Sequence, residues 1–205
     1  EMDSCGADVA RGGSDFTVVS TRYGNWYAPL KRWPGKETPN GSVTAGLIVS
    51  CLRDGAPVHV DALGVGGETI GHLESNGMQV VPVVGYDTDS CVAQTDKATD
   101  KLKFRNLRAM IWWRFREMLD PETGSRVALP PDPKLKAGLC APLWKLTPGG
   151  ILIESKEEIK KRLGRSPDDG DAVVYCSMST MKVSAMRRLP QMQDNGADIF
   201  TYGRD

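Results

Sequence analysis

Between Cys5 and Trp33 the chain offers three segments of extended character, joined by turns too short to hold any other element. Cys5 to Ala10 ends at the turn Arg11-Gly12-Gly13-Ser14. Phe16 to Arg22 follows with β-branched Thr17, Val18, Val19 and Thr21, and Tyr23-Gly24-Asn25 then turns the chain into Trp26 to Trp33. Connections this short make consecutive strands pair antiparallel, so the chain is expected to begin as a three-stranded meander.

The pattern then changes. After the punctuation of Pro34-Gly35 and Pro39-Asn40-Gly41, the spacing predicts a helix from about Val43 to Leu52, ended near Asp54-Gly55. Val58 to Leu63 reads as a buried strand, Glu68 to Ser75 as a short helix closed by Asn76-Gly77, and Met78 to Val84 as another strand. Strand, helix and strand in that order predict parallel pairing through a right-handed crossover. A polar loop from Gly85 to about Thr99 precedes the longest expected helix, Phe104 to Leu119, whose Phe104, Leu107, Ile111, Phe115 and Met118 recur at helical spacing and read as core. Pro130, Pro131 and Pro133 mark a loop, and a small hairpin is expected from Pro142 to Leu146 and Ile151 to Ile153 across Pro148-Gly149-Gly150. Helices follow at Glu154 to Leu163 and from Pro167 to about Met178. Residues 1 to 180 are expected to form one domain, and residues 181 to 205 a tail with no clear pattern.

The chain has 205 residues, 40% of them hydrophobic and 25% charged, which suits one soluble domain with a sizeable core. No apolar run approaches the roughly 18 residues of a membrane span, and the N-terminus lacks the basic and apolar regions of a signal peptide, so a cytosolic protein with no membrane partner is expected. Cys5, Cys51, Cys91, Cys140 and Cys176 are irregularly spaced and form no Cys-x-x-Cys pair, so they are expected to be reduced packing residues. With His59 and His72 as the only histidines, Cys/His zinc sites and Ser-His-Asp catalysis have little support. A formal net charge of zero argues against a tight stand-alone nucleic-acid binder and predicts weak, salt-sensitive contact with phosphates.

The residues from Arg162 to Ala172 load carboxylates onto the first turn of a helix. Ser166 as N-cap, Pro167 at the first helical position and Asp168 and Asp169 near the positive end of the dipole account for this as ordinary capping. The company of these acids argues for more. Asp8 and Asp61 lie at the ends of expected strands, and carboxylates gathered from two strands and a helix N-terminus suit a hard divalent cation, which takes oxygen ligands. Asp171 lies one turn from Asp168 on the same helical face, whereas Asp169 points elsewhere and reads as a cap or solvated acid. Asp15 beside its Gly-Gly turn suggests side-chain to backbone bonding, Asp87 and Asp89 read as solvated loop acids, and Trp26, Trp33 and Trp144 as core. Glu157 with Lys161 and Glu158 with Arg162 read as i,i+4 pairs on a solvated face.

Three antiparallel strands, a helix, a strand, a helix, a strand and further helices is the element order of a ribonuclease H-like fold. The expected class is therefore α/β, with a mixed five-stranded sheet of three antiparallel strands followed by parallel strands, flanked by helices. Specific motifs point the same way. Gly6-Ala7-Asp8-Val9-Ala10-Arg11-Gly12-Gly13-Ser14-Asp15-Phe16-Thr17, Val58-His59-Val60-Asp61 with Gly64-Val65-Gly66-Gly67, Phe104 to Ala109 with Trp112-Trp113, Glu154 to Lys160, and Arg162 to Ala172 together resemble the C-terminal nuclease domain of the large terminase subunit of tailed bacteriophages.

That resemblance implies a metal-dependent DNA endonuclease that cuts concatemeric viral DNA during genome packaging in the host bacterial cytoplasm. It implies two Mg²⁺ or Mn²⁺ ions, with Asp8 bridging, Asp61 holding one ion, Asp168 the other and Asp171 as a fourth, outer or water-mediated ligand, the choice among Asp168, Asp169 and Asp171 as the direct ligand staying open. Its implied partners are double-stranded DNA, an ATPase domain of the same full-length protein, the small terminase subunit and the portal. No phosphate-loop motif occurs in this sequence, so the chain is expected to be the nuclease part alone. Arg11, Lys97, Lys101, Lys103, Arg105, Lys156 and Lys160 are candidates for phosphate contacts. Two other readings stay open. Gly64-Val65-Gly66-Gly67 after a strand, with Asp87 further on, is similar to a nucleotide-binding turn that lacks its third glycine, and a catalytically silent ribonuclease H-like interaction domain would also tolerate a neutral charge.

Overall fold

The computed structural model describes residues 1–10, 15–123 and 126–178. At its centre lies β1 (Ser4–Asp8), buried along its whole length. It pairs antiparallel with β2 (Phe16–Tyr23), Asp8 opposite Val18, and parallel with β5 (Val58–Asp61), Ala7 opposite Val60. β6 (Val80–Val83) continues the sheet in parallel, with Asp61 opposite Val83.

The third segment of the meander is broken rather than continuous. β3 (Trp26–Tyr27) pairs with the end of β2, and β4 (Lys31–Pro34) pairs with its beginning, Val19 opposite Lys31. Pro29 lies between them and has no N–H to give to a ladder. The sheet thus runs β3-β2-β1-β5-β6 with β4 also on β2, six strand segments in place of the five expected. The fold is ribonuclease H-like: a mixed sheet, antiparallel on one side of β1 and parallel on the other, flanked by helices.

Alternation along β1 decides what each face meets. Cys5 and Ala7 join Val19, Val58 and Val60 in packing on α1 (Gly41–Cys51) and α2 (Gly66–Ser75) through Ala45, Ile48, Ile70 and Leu73. Ser4, Gly6 and Asp8 point the other way, onto α6 (Asp168–Ser177). The Ser4 hydroxyl donates to the Cys176 carbonyl at 2.6 Å, which fixes one end of this contact. At Gly6 a Cβ would land on the Ala172 carbonyl and the Cys176 backbone nitrogen, so only glycine lets the helix lie against the strand. Two residues further along β1, roughly 7 Å, match a little over one helical turn, which brings Asp8 to the first turn of α6.

A second cluster covers α6 from outside. α3 (Leu107–Leu119) starts at Leu107, three residues later than expected, because the Asn106 side chain accepts from the Ala109 N–H and caps it. Phe104 is left to bridge Ile151 in the hairpin of β7 (Trp144–Thr147) and β8 (Gly150–Ile153). Leu107, Ile111 and Phe115 are buried against Val173 and Val174, so the stripe is core as expected. The proline-rich loop hides a further helix, α4 (Pro133–Leu139). Asp132 caps it by accepting from the Lys134 and Leu135 N–H groups, and Pro133 stands at the first position, where its missing N–H costs nothing.

α5 (Lys156–Leu163) begins with a capping box, Ser155 with Glu158. That occupies Glu158, and Arg162 reaches back to Glu154 instead, Nε to Oε1 2.9 Å. α6 starts at Asp168, not Pro167. Pro167 takes the cap position with no side-chain cap bond, so Ser166 does not cap the helix.

The five cysteines are free, and all but Cys140 are buried. His59 lies in β5 with Nδ1 3.2 Å from the Cys5 carbonyl, and burial pulls its pKa down to about 4. No helix among the described residues is long and apolar enough to cross a membrane. The tail from 181 to 205 lies outside the described residues.

Candidate active site

Register places Asp8 and Asp61 in one row at the C-terminal ends of adjacent parallel strands, and α6 brings Asp168 and Asp171 to the same end. The residue that joins them is Lys156. It is the first residue of α5, whose start is fixed by the capping box at Ser155. Its Nζ donates to both oxygens of Asp8 at 2.6 Å, and stands 3.6 Å from Asp171 Oδ2 and 3.9 Å from Asp168 Oδ1. Three carboxylates therefore share one ammonium group.

The electrostatics follow from burial. Asp8 is 2% exposed. Burial pushes its pKa well up, Lys156 opposes this, and Asp171 and Asp168 add to it by repulsion. For Lys156 burial works against the charge, but Asp8, Asp171 and Asp168 outweigh it and raise the pKa. The ammonium is what allows the acids to stand together.

Each remaining carboxylate is held by its own partners. Asp171 Oδ1 accepts from Arg108 Nη1 at 2.7 Å and Trp112 Nε1 at 3.0 Å, whereas its buried Oδ2 has no hydrogen bond. Asp168 Oδ2 accepts from the Phe16 N–H at 3.3 Å. Asp61 stands apart from the ammonium: its Oδ1 accepts from the Leu63 N–H at 3.0 Å and its Oδ2 from the Tyr175 hydroxyl at 3.3 Å. Tyr175 is buried, and burial followed by Asp171, Asp61 and Asp8 holds its pKa well above the usual value, so it remains a donor.

Several expectations need correction. Asp169 is neither a cap nor solvated: it is 3% exposed and pairs with Arg32, Nε to Oδ1 2.7 Å, while Arg32 also binds Asp132. Asp15 accepts from Lys160 Nζ at 2.6 Å, and the Gly-Gly turn expected as its partner lies outside the described residues. Asp87 is half-buried and bonds its own turn, accepting from the Asp89 N–H and the Ser90 hydroxyl. Trp26 and Trp144 are 49% and 54% exposed, Trp26 tilted against Tyr23 and Trp144 edge-on to the buried Trp113, and of the three only Trp33 leans on the α1 cluster. Lys156 and Lys160 are both paired with acids, and Lys97, Lys101, Lys103 and Arg105 are exposed. Arg11 lies outside the described residues.

A cleft of about 260 Å³ opens over this cluster, lined by Asp8, Asp15, Phe16, Lys156, Lys160 and Asp168 among others. The glycine motif after β5 has a packing role. A Cβ on Gly66 would strike the Asp61 carbonyl, so the glycine lets α2 start directly against the strand end that carries Asp61.

No protein-family model and no curated protein matches the chain. Solved structures do. The nuclease domain of the large terminase subunit gp2 of bacterial virus Sf6 is 20% identical, with a TM-score of 0.67 over 86% of this chain and 87% of that one. A point mutant of the same domain with manganese scores 0.63 at 20% identity over 86% and 87%. The large terminase nuclease of thermophilic phage G20c with bound magnesium scores 0.59 at 17% identity over 88% and 82%. This chain has the terminase nuclease fold.

The donor set fits the hard divalent cation that the terminase nuclease resemblance implies. It offers carboxylate oxygens alone, and one of them, Asp171 Oδ2, is buried with no hydrogen bond to satisfy it. As the side chains stand, no three Asp, Glu, His or Cys residues among those described form a ready cage. The place between them is taken by the Lys156 ammonium.

By sequence Lys156 is a candidate for phosphate contacts and Arg108 only part of a motif stretch, and neither is assigned to the acids. The signal for Lys156 was its position directly after Ser155, inside the Ser155-x-x-Glu158 capping box that fixes where α5 begins. No local signal points to Trp112 or Tyr175.

Proposed function

We propose that this chain is a metal-dependent DNA endonuclease that cuts concatemeric viral DNA during genome packaging. The observation that carries this reading is the convergence of Asp8, Asp168 and Asp171 on one cationic nitrogen, beside Asp61, in a terminase nuclease fold.

Asp8 would be shared between the two ions, Asp61 and Asp168 would hold one each, and Asp171 would be the fourth ligand. Two bound Mg²⁺ or Mn²⁺ ions would lower the pKa of an attacking water and stabilise the leaving 3′ oxygen of a phosphodiester. The chain's own part is to present charge in fixed places. The Phe16 N–H holds one oxygen of Asp168, and the Tyr175 hydroxyl and Leu63 N–H hold Asp61. Lys156 balances the cluster and must leave Asp8 before the carboxylates become available as ligands. Lys160 and Asp15 stand at the mouth of the cleft, where their ion pair meets an incoming phosphate backbone first.

The DNA is held non-specifically, as a neutral domain requires, and a motor domain of the same full-length protein, the small terminase subunit and the portal supply affinity and timing. The host bacterial cytoplasm is the compartment that this role assigns. The test is nicking of supercoiled plasmid in Mn²⁺. Asp61→Asn, which keeps shape and loses charge, should abolish nicking, and Asp15→Asn should retain most of it. Nicking by Asp61→Asn at the wild-type rate would overturn the assignment, and a wild type that never nicks would favour a silent interaction domain.

A further inference from the structure

We propose that Arg108 and Trp112 are positioning residues that decide which oxygen of Asp171 faces the cation position, and thereby set the affinity of the site for metal. This rests on the metal-dependent reading of the cluster. Arg108 and Trp112 are four residues apart on α3, one turn, and present their donors on one face of the helix. Both donate to the same atom, Asp171 Oδ1, at 2.7 and 3.0 Å. The other oxygen, Oδ2, turns to Lys156 Nζ at 3.6 Å and has no hydrogen bond.

This distribution is costly unless a cation uses it. The Asp171 side chain is wholly buried, and a buried carboxylate oxygen with no hydrogen bond, and only an ammonium 3.6 Å away, is destabilising. Two donors on Oδ1 prevent the carboxylate from turning to relieve it. The donors are themselves fixed. The Arg108 Nε donates to the Glu154 carbonyl at 3.3 Å, its backbone N–H donates to the Gly85 carbonyl at 2.9 Å, and its guanidinium lies 5.5 Å from the Trp112 ring centroid. The indole reaches Asp171 because Gly170 is a glycine: a Cβ there would stand 2.9 Å from the Trp112 ring. The run Asp168-Asp169-Gly170-Asp171 thus carries a purpose beyond capping. Gly170 admits the donor that orients the acid following it.

The experiment is a Mn²⁺ titration of the 205-residue chain by calorimetry, without DNA, compared with urea unfolding in chelator. Trp112→Phe keeps an aromatic ring and deletes one donor; it should need about tenfold more Mn²⁺ for half-saturation, within the range for residues that orient a metal ligand. Arg108→Met should shift the midpoint further, and Arg108→Lys, which restores charge and a donor, should recover part of the loss. A residue that only supports the fold would lower the urea midpoint and leave the Mn²⁺ midpoint unchanged. An unchanged Mn²⁺ midpoint in folded Trp112→Phe overturns the inference. A wild type that binds no Mn²⁺ overturns the metal reading itself, and this inference with it.

Discussion

The Lys156 ammonium lies 2.6 Å from both carboxylate oxygens of Asp8, so the first residue of α5 neutralises the last residue of the central strand. A lysine this close to a buried acid, with two more carboxylates within 4 Å, works as an internal cation.

Removing it should therefore expose the repulsion it masks. Lys156→Met is expected to lower stability in chelator by about 3 kcal/mol, the order found when a buried acid loses its partner. Millimolar Mn²⁺ should then raise the melting temperature of Lys156→Met by more than that of the wild type, because the ion supplies the missing charge. Thermal melts with and without Mn²⁺ check this. Equal shifts in the two proteins would show that Lys156 does not share the cation position.

Gly6 tests how the strand and helix meet. Gly6→Ala puts a methyl group against the backbone of Ala172 and Cys176, which cannot rotate away. A loss of about 1 to 3 kcal/mol is expected, together with a fall in Mn²⁺ affinity as Asp168 and Asp171 move with α6. Urea unfolding and metal titration on one preparation measure both.

Arg32 tests the wall behind the site. It joins β4 to Asp169 of α6 and to Asp132, the cap of α4. Arg32→Met leaves Asp169 buried without a counter-ion and should cost about 3 kcal/mol, more than Asp132→Asn, whose site is nearer to solvent. Chemical unfolding of the two variants gives the order directly.

His59 supplies a pH dependence of known sign. Its folded pKa of about 4 lies below the ordinary 6.5, so between those values the unfolded chain binds more protons than the folded one. Stability from this group is present above pH 6.5 and lost as pH falls toward 4. Relative to His59→Asn, which removes the titration, the wild type should lose about 2 kcal/mol between pH 7 and pH 5. Parallel loss in both proteins would mean that His59 is not buried neutral.

Much of this site is written locally. The β-branched run of β2 and the turns around it gave away the meander, and the acids at strand ends pointed to Asp8 and Asp61, but the parallel pairing legible in the sequence joined β5 to β6, not β1 to β5. What escaped depends on contacts across long separations. Asp169 reads as solvated until Arg32, 137 residues earlier, is brought beside it. Lys156 looks like one cation among several until the start of α5 and the β1–α6 contact bring it beside Asp8. Trp26 and Trp144 read as core by residue type, yet Trp26 lies on the two-residue edge strand β3 and Trp144 on the two-stranded β7–β8 hairpin, and both are exposed. Three prolines hid α4, because Pro131 and Pro133 flank the aspartate that caps the helix instead of breaking it.

The most direct test of the central claim is anomalous scattering from wild-type crystals soaked in Mn²⁺. The account expects density among Asp8, Asp61 and Asp168, reaching Asp171 Oδ2, with the Lys156 ammonium withdrawn from Asp8. Strong Mn²⁺ density elsewhere and none among these carboxylates, with Lys156 still bound to Asp8 at saturating metal, would contradict it.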